Sequence, residues 1–223
     1  MALIELKNII KTYRIDGMET RAVDGVDLTI EEGDFSCLAG SSGSGKTTLL
    51  NLIGALDKPT SGRIFYEGRD ITATPVNKLA DFRLHSVGFI FQAYNLINTL
   101  TAIENVEYVL LLRKTDSGVR QKKSREILER VGLGAHAHKA VSRLSGGQQQ
   151  RVAVARAIVA QPRIVLADEP TANLDSVTAE KLLDLMRELN RENKVTFLFS
   201  THDQMVMDKA TRLYSMRDGQ IVE

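Results

Sequence analysis

An eight-residue stretch decides the fold of this chain: it reads Gly40-Ser41-Ser42-Gly43-Ser44-Gly45-Lys46-Thr47. The short β-rich run 35–39 precedes it, and a helical run over 47–56 follows it. The stretch matches the pattern G-x-x-x-x-G-K-[ST], in which glycines allow positive φ and let backbone N–H groups close around a phosphate. The helix N-terminus adds about half a positive charge. The sequence therefore predicts a phosphate-binding loop between a buried strand and a helix.

Two side chains at the end of this loop suit a nucleoside triphosphate. Lys46 would reach the β- and γ-phosphates, and the hydroxyl of Thr47 would ligate Mg²⁺. The alternative is a flexible Gly/Ser loop that matches by accident, which we expect in roughly one per cent of chains of this length. We further expect Lys46 to be a solvated loop side chain that contributes little to folding.

A second cluster follows a continuous apolar run. The run Ile164-Val165-Leu166-Ala167 is typical of a parallel strand covered on both faces, and Asp168-Glu169 follows it directly. The two carboxylates should lie at the C-terminal edge of the sheet, where ligands of such sheets bind. Asp168 would hold Mg²⁺ through its water shell, and Glu169 could act as general base on water. Taken alone, such an acidic pair is more often a helix cap or a solvated loop, and spacing does not assign the two roles.

A second glycine-rich helix start lies at Leu144-Ser145-Gly146-Gly147-Gln148. The helix should begin near Ser145, run through Arg156 and be closed by Pro162. Its N–H groups and the Ser145 hydroxyl could bind another phosphate. An ordinary N-cap with glycines in the turn explains the same residues equally well.

Composition limits the class of protein. The chain has 223 residues, of which 43% are hydrophobic and 26% are charged, with a formal net charge of +1. These values exclude a disordered chain, a disulfide miniprotein and a dedicated basic nucleic-acid binder. The single cysteine, Cys37, is consistent with a reducing compartment. No apolar run approaches the length of a membrane span. We expect a soluble, cytoplasmic protein whose membrane role comes through a partner.

The pattern along the chain predicts an α/β fold. Two features predict an antiparallel N-terminal part. The first is a pair of short strands over 3–7 and 26–30 with a turn at Asp16-Gly17. The second is a hairpin over 63–66 and 69–71 that is turned by Glu67-Gly68. The middle is helical over 101–112 and 119–131. An amphipathic helix follows the strand over 164–167, with its apolar stripe at Ala179, Leu182, Leu183, Met186 and Leu189. Further strands are predicted after it, over 195–199 and 212–216. Strand–helix alternation predicts a mostly parallel sheet.

These motifs, in this order, resemble the ATP-binding cassette (ABC) family of ATPases, and the resemblance covers essentially the whole chain. Residues 40–47 match its Walker A loop, 144–148 its signature, and 164–168 with Glu169 its Walker B segment. Gln92, after a strand over 88–91, matches the Q-loop; Asn173-Leu174-Asp175 matches the D-loop; Thr201-His202-Asp203 matches the switch histidine. The stretches 88–92, 101–106 and 145–151 look like the lipoprotein-releasing and macrolide-exporter type. Ser41 and Ala172 depart from common family residues without removing a functional group.

The resemblance implies a P-loop NTPase core with an antiparallel β subdomain and an inserted helical subdomain. One ABC ATPase domain would span 1–223, with the catalytic core over 1–92 and 161–223 and the helical subdomain, carrying the signature, over 93–160. It also implies a homodimer on ATP binding, with ATP between the phosphate loop of one chain and the signature of the other.

The resemblance further implies a role for each site residue. Gln92 would sense Mg²⁺ and water, His202 would contact the γ-phosphate, and Tyr13 would stack on adenine, although a half-buried strand aromatic explains Tyr13 nearly as well. The nucleotide-binding set would be Tyr13, Gly40, Ser41, Ser42, Gly43, Ser44, Gly45, Lys46, Thr47 and Thr48. The signature residues that contact the ATP of the partner chain would be Ser145, Gly146, Gly147 and Gln148, with Asp175 in the D-loop.

The function implied is hydrolysis of ATP to ADP and phosphate, coupled to transport or substrate extrusion through integral membrane permease subunits. The chain would be peripheral on the cytoplasmic face of the inner (plasma) membrane. An alternative is a cassette that drives a membrane complex without transport, such as one that activates cell-wall enzymes. DNA-repair members need a long coiled-coil insertion and translation-associated members carry two cassettes, so the sequence predicts no nucleic-acid partner.

Overall fold

The computed structural model describes residues 1–15 and 17–222, so Asp16 of the turn predicted at Asp16-Gly17 lies outside the described residues. The chain divides into two compact units. The first unit comprises Met1–Arg83 and Thr196–Glu223, and the second unit comprises Leu84–Val195. Within the described chain, no helix is both long and apolar enough to cross a membrane.

The first unit contains mostly strands. In chain order its elements are β1 (Ala2–Ile15), β2 (Met18–Glu31), β3 (Phe35–Ala39), α1 (Lys46–Ile53), β4 (Ser61–Tyr66), β5 (Arg69–Asp70) and a 3-10 turn (Val76–Leu79). The helix α2 (Ala80–Ser86) follows, and the first unit's segment ends within it, at Arg83. After the second unit's elements come β8 (Thr196–Thr201), α7 (Gln204–Lys209), β9 (Arg212–Arg217) and β10 (Gln220–Val222).

The antiparallel sheet of the first unit has the strand order β2-β1-β4-β5. This confirms the antiparallel N-terminal part, but β1 and β2 are much longer than predicted, with 14 residues each. Irregularities between Leu6 and Ile9, and again near Lys11, interrupt the alternation of buried and exposed side chains. A β-bulge shifts the side-chain pattern by one residue. Short-range alternation therefore detects only fragments of these strands.

The second group of strands in the first unit has β3 at its centre. The order is β10-β9-β3-β8, and β3 is parallel to both β8 and β9. Every residue of β3 and of β8 is buried, as expected for strands covered on both faces. The hairpin strand β10 pairs antiparallel with β9 and was not predicted from sequence.

Helix α1 ends at Ile53, whereas the sequence predicts a helix up to residue 56. The helix stops at Gly54, and Ala55 adopts a positive φ of 54°. A left-handed residue just after a helix closes its last carbonyls with backbone bonds, and here Leu56 N donates to Asn51 O at 2.9 Å. The helix therefore ends one turn earlier because the backbone reverses at Ala55.

The second unit is mainly helical around one pair of strands. Its elements are β6 (Val87–Ile90), α3 (Ala102–Leu112), α4 (Ser117–Arg130), 3-10 turns (Gly134–His136 and Val141–Arg143), α5 (Gly146–Ile158), β7 (Ile164–Asp168) and α6 (Ser176–Asn193). Strands β6 and β7 are parallel, with Ile90 opposite Ala167. The apolar stripe predicted for α6 is buried throughout. The helix α2, which no apolar periodicity marks, has no buried residue.

Candidate functional site

The phosphate loop connects the central strand of the first unit to α1. Ala39, the last residue of β3, is paired with Thr201 of β8 and with Ser215 of β9. The loop therefore leaves the sheet at its carboxyl edge, where ligands of parallel sheets bind. The predicted strand–loop–helix context is confirmed.

Two glycines of the loop have no room for a side chain. A Cβ on Gly40 would lie 2.3 Å from the carbonyl oxygen of Met216, and one on Gly45 would lie 2.2 Å from that of Ala22. Gly45 also has a φ of 103°, which residues with a Cβ rarely adopt. Backbone packing thus explains why glycine stands at both positions.

Lys46 is folded into the loop. Its side chain is only 6% exposed, and its Nζ donates to the carbonyl oxygens of Gly40 at 2.7 Å and Ser41 at 2.9 Å. The prediction of a solvated lysine was wrong, because two loop carbonyls converge on the ammonium group. Ser41, Ser42, Gly43 and Thr47 are exposed, whereas Ser44 is buried and Thr48 is half-buried.

The N-terminus of α1 has no side-chain cap. Its N-cap residue is Gly45, and no side chain of the described chain accepts from the first-turn N–H groups as a cap. The first N–H groups of any helix lack intrahelical partners. This terminus therefore presents backbone donors beside the ammonium group of Lys46.

His202 follows β8 directly and lies beside the loop. Because Thr201 is paired with Ala39, His202 and Gly40 leave neighbouring strands at the same edge. His202, Gly40 and Ser41 line one open cleft of about 600 Å³. The imidazole is exposed. Two sequence-predicted groups, the loop and the histidine, therefore share one cleft.

Tyr13 is a half-buried residue near the end of β1. Its hydroxyl donates to Asp57 Oδ2 at 2.9 Å, and the Nζ of Lys11 lies 4.9 Å from the centroid of its ring. Burial raises the pKa of the Tyr13 hydroxyl, the bond to the Asp57 carboxylate raises it further, and a bond with Thr48 opposes the shift.

In the second unit, the two carboxylates lie where β7 ends. Asp168 is the last residue of β7, and both Asp168 and Glu169 are half-buried. Glu169 has a φ of 46°, a strained conformation for a residue with a long side chain. The next carbonyl, that of Pro170, accepts from Nε2 of the buried Gln150 at 2.7 Å. Gln150 on α5 therefore fixes the chain immediately after Glu169.

The segment after β6 is held by side chains. The carbonyl of Gln92 accepts from Asn173 Nδ2 at 2.8 Å. Arg156 on α5 donates to the carbonyls of Tyr94 at 2.9 Å and Asn95 at 2.6 Å. Both of these residues have positive φ, so Arg156 holds a strained turn. The Gln92 side chain is exposed.

The signature helix α5 starts with a complete capping box. Gln148 N donates to Ser145 Oγ at 3.4 Å, and Ser145 N donates to Gln148 Oε1 at 3.0 Å. A Cβ on Gly147 would lie 2.7 Å from Cγ2 of Thr178. Ser145 itself is exposed. The serine therefore caps its helix as the ordinary interpretation predicts, and it is also accessible.

Asp175 caps the next helix. Its carboxylate accepts from Thr178 N at 3.0 Å and from Thr178 Oγ1 at 2.7 Å at the start of α6. The side-chain bond from Thr178, followed by the backbone bond, lowers the pKa of Asp175. The carboxylate is thus ionised and fixed at neutral pH.

The sequence-predicted residues fall into two groups. The first unit holds the phosphate loop, Tyr13 and His202, and the second unit holds Gln92, Asp168, Glu169, the signature and Asp175. Sequence reasoning missed four side chains that hold these residues in place: Lys11, Asp57, Gln150 and Arg156. Their contacts join residues 20 to 62 positions apart, and no local pattern marks them.

A phosphate loop at the edge of a parallel sheet defines a P-loop nucleotide-binding protein. The family model described as "ABC transporter" matches residues 23–172. The chain therefore belongs to the ABC transporter family, and it is an ATP-binding cassette with ATPase activity.

Individual relatives agree with this assignment. The chain is 44% identical to the lipoprotein-releasing system ATP-binding protein LolD 1 of Rhodopseudomonas palustris, over 98% of this chain and 98% of that protein. It is 46% identical to the macrolide export ATP-binding/permease protein MacB of Hyphomonas neptunium, over 99% of this chain but 34% of that protein. The chain thus spans about a third of the MacB relative and nearly all of the LolD relative.

A solved structure gives the same fold. It is a dimeric ATP-binding cassette in a post-hydrolysis state with ADP and Pi bound, 41% identical to this chain, with a TM-score of 0.92. The alignment covers 99% of this chain and 97% of that one. The predicted α/β class, with an antiparallel N-terminal sheet and a mostly parallel second sheet, is confirmed.

Proposed function

We propose that this chain is the energy-supplying subunit of a membrane complex of the lipoprotein-releasing or macrolide-exporting kind. It would act as a homodimer on permease subunits at the cytoplasmic face of the inner membrane. One observation carries the proposal: the chain has two glycine-rich helix N-termini, of which α1 lacks a side-chain cap and α5 is capped by Ser145. The first suits ATP bound by the chain itself, and the second suits ATP presented by a partner copy.

The phosphate loop would bind the triphosphate. The N–H groups at the start of α1 donate to phosphate oxygens, as at other helix N-termini. Lys46 has three N–H protons, two of which go to loop carbonyls. The loop therefore fixes the position of the ammonium group before the nucleotide binds, so the Lys46 side chain loses little conformational entropy on binding. Tyr13 would stack on the adenine ring.

The polar residues named for Mg²⁺ fit that ion. Thr47, Gln92 and Asp168 offer hydroxyl, amide and carboxylate oxygens, which are the ligands Mg²⁺ prefers. Thr47 and Gln92 are exposed and Asp168 is half-buried; Asp168 would act on the ion through water. The bound ion would neutralise charge on the β- and γ-phosphates.

Glu169 would act as the general base. Its carboxylate takes a proton from water, the water oxygen attacks the γ-phosphorus, and the bond from that phosphorus to the β–γ bridging oxygen breaks to leave ADP. His202, in the cleft shared with Gly40 and Ser41, would donate to a γ-phosphate oxygen. Gln92 would orient the water. The bond from Gln150 to Pro170 supports this role, because it fixes the backbone beside Glu169.

The signature would serve the second chain's nucleotide. Ser145, Gly146, Gly147 and Gln148 would contact the partner's ATP, and Asp175 would lie at the dimer contact. We assign the signature to a helical subdomain over 93–160, with the catalytic core over 1–92 and 161–223.

Replacing the general base tests the central step. Glu169→Gln keeps the size of the side chain but cannot accept the proton, so hydrolysis should fall by several orders of magnitude while ATP affinity stays within about threefold. A stable ATP-bound dimer should then elute on size exclusion with light scattering. Asp168→Asn is the matched control at the neighbouring carboxylate and should bind ATP–Mg²⁺ more weakly. A Glu169→Gln protein that hydrolyses ATP normally, or stays monomeric with ATP, would contradict the proposal.

Co-purification tests the partner. The tagged chain, isolated in detergent from its native membranes, should bring down a multi-span membrane protein in a fixed ratio. A permease that moves lipoprotein or drug on ATP addition supports the transport function. A membrane partner that only activates cell-wall hydrolysis would replace it with the non-transport alternative. Ribosomes or DNA as stoichiometric partners would overturn both.

A further inference from the structure

The ring of Tyr13 is held by two charged side chains on its own unit. Asp57 accepts from the Tyr13 hydroxyl at 2.9 Å and from Lys11 Nζ at 2.8 Å. Lys11 Nζ also donates to the carbonyl of Lys58 at 2.7 Å and lies 4.9 Å from the centroid of the Tyr13 ring. The three side chains thus form one connected group, which we call the tyrosine clamp.

The clamp is built from two distant parts of the sequence. Lys11 and Tyr13 are two residues apart on β1, beside an irregularity in its pairing with β2. Asp57 lies in the loop that follows α1, the helix whose N-terminus carries the phosphate loop. Asp57 therefore connects the Tyr13 hydroxyl to the segment that follows α1.

The charges of the clamp are mutually satisfied. Burial on its own would raise the pKa of Asp57, but hydrogen bonds from Lys11, from the Lys58 N–H and from Tyr13 lower it below its ordinary value. The carboxylate is therefore ionised at neutral pH and accepts three donors. The Lys11 side chain is 12% exposed and that of Asp57 is 33% exposed, so water screens this pair less than one on the open surface.

The position of Lys11 also restricts the ring. A cation above an aromatic face is attracted by the ring's negative quadrupole. Because Lys11 lies over one face, a flat ligand can stack only on the opposite face. The Asp57 bond holds the hydroxyl end of the ring axis, and Lys11 over the face restricts rotation of the ring about that axis.

We propose that Asp57 and Lys11 are positioning residues for the nucleotide base: they fix Tyr13 so that adenine stacks on the ring face opposite Lys11, in register with a triphosphate in the phosphate loop. The inference rests on the stacking role of Tyr13 in the proposed function. It adds that base affinity depends on two residues that never touch the nucleotide. A purely structural role would instead be to join β1 to the loop after α1.

Two ligands separate these roles. ATP carries a base and inorganic tripolyphosphate does not, so a change in base positioning affects only the first. By isothermal titration calorimetry, Asp57→Ala should weaken ATP binding on the order of tenfold, the scale of one base–aromatic stack, and leave tripolyphosphate binding unchanged. Asp57→Asn, which keeps an acceptor for the Tyr13 hydroxyl, should recover part of the loss. In steady-state hydrolysis, KM should rise while kcat stays constant.

Matched variants complete the design. Lys11→Met keeps the aliphatic stem without the charge and should weaken ATP several-fold, which provides a second route if Asp57→Ala folds poorly. Asp34→Ala removes another half-buried acid of the same unit, one that pairs with Arg212 at 3.2 Å, and should change neither ligand. Because Asp57→Ala already removes the acceptor of the Tyr13 hydroxyl, Tyr13→Phe should weaken ATP binding less in the Asp57→Ala protein than in the parent.

The outcomes distinguish this inference from the proposed function. If Tyr13→Ala binds ATP like the parent, the stacking role fails, and the clamp proposal fails with it. If Tyr13→Ala weakens ATP but Asp57→Ala and Lys11→Met do not, stacking stands and the clamp proposal is wrong. Equal losses for ATP and tripolyphosphate in the Asp57 variants would assign Asp57 a structural role only.

Discussion

The two glycine-rich helix N-termini of this chain differ in how their backbone donors are used. At α1 the N-cap is Gly45 with a φ of 103°, and no side chain caps the first turn in the described residues. At α5 the N-cap is Ser145, and Ser145 and Gln148 satisfy each other's backbone N–H groups. Similar sequence patterns thus give one helix N-terminus without a side-chain cap, at α1, and one whose capping box satisfies two backbone N–H groups, at α5.

This difference separates the two phosphate sites that we propose. The α1 terminus combines N–H groups that no side chain of the described residues caps with the buried ammonium of Lys46, and both groups favour an anion. The α5 terminus is already stable, and only Gly146 and Gly147 retain N–H groups that lack intrahelical acceptors. We therefore expect ATP to bind first to the phosphate loop of a single chain and to engage the signature only after a second chain arrives.

The largest effect should come from breaking the α1 site. Lys46→Ala removes the charge that we propose contacts the β- and γ-phosphates, so ATP affinity should fall about 100-fold, in the range of one or two charge-assisted bonds, and phosphate release should be undetectable. Because Lys46 is buried against two carbonyls, the free energy of unfolding should also fall by about 1–3 kcal/mol.

Calorimetric titration and thermal unfolding check both parts of the Lys46 prediction. Lys122→Ala, at a side chain that is 78% exposed, is the matched lysine control and should leave both quantities unchanged. Near-normal turnover in Lys46→Ala would refute the phosphate-loop role.

The next effect concerns the α5 terminus. Ser145→Arg leaves the chain's own phosphate loop intact, so one ATP should still bind per monomer. The bulky side chain should block the partner's γ-phosphate, so dimerisation and turnover should be lost. Ser145→Ala removes the cap and the hydroxyl without adding bulk; it should cost about 0.5–2 kcal/mol of stability and should dimerise better than Ser145→Arg.

Mixing the two variants sharpens the comparison. In a dimer of Lys46→Ala with Ser145→Arg, one site carries both lesions and the other joins an intact loop to an intact signature. ATP-driven dimerisation should therefore partly return, although neither variant dimerises alone. If Ser145→Arg by itself dimerises and hydrolyses ATP like the parent, the site is not shared between chains.

The smallest effect is expected from removing one side chain from each of two capping boxes, those of α3 and α5. Helix α3 has the box Thr101 and Glu104, and α5 has Ser145 and Gln148. Glu104→Ala and Gln148→Ala should each cost about 0.5–1 kcal/mol of unfolding free energy, as for other lost helix caps. Only Gln148→Ala should weaken ATP-driven dimerisation, because in the proposed dimer the α5 box would contact the partner's nucleotide. Equal dimerisation in both variants would count against a role for the α5 box.

The same pair predicts a difference with pH. Backbone and hydroxyl bonds from Thr101 lower the pKa of Glu104 from its ordinary 4.5. A carboxyl group whose pKa is lowered in the folded state stabilises that state above pH 4.5. This contribution is lost as the pH falls through the lowered pKa. Chemical denaturation at pH 7 and pH 3 should therefore show the cost of Glu104→Ala shrinking in acid, while that of Gln148→Ala, an amide, stays constant.

Local signals in the sequence predicted much of this molecule. The apolar run 35–39 forms β3, the stripe from Ala179 to Leu189 is the buried face of α6, and Glu67-Gly68 turns the hairpin between β4 and β5. In each case neighbouring residues contain the whole signal. The phosphate loop belongs to this group, since its glycines and lysine are contiguous.

The parts that sequence reasoning missed depend on contacts between distant residues. The burial of Lys46 follows from how the loop carbonyls of Gly40 and Ser41 converge on it, not from the residue types. Asp57 meets Tyr13 across 44 positions, and Arg156 meets Tyr94 across 62. A spacing pattern carries no information about such pairs. The contacts of Asp57 with Tyr13 and of Arg156 with the segment after Gln92 can therefore be identified only in the folded structure.

Because Cys37 is buried, its chemical modification can report how often the sheet around β3 opens. Cys37 is the one cysteine of the sequence, and it lies fully buried on β3, three residues before the phosphate loop. A thiol reagent can react only when β3 becomes accessible, so the rate of modification measures how often the sheet opens beside the nucleotide site. Because a ligand stabilises the folded state by RT ln(1 + [L]/Kd), ATP should slow that reaction, and the slowing measures affinity in the unmutated protein.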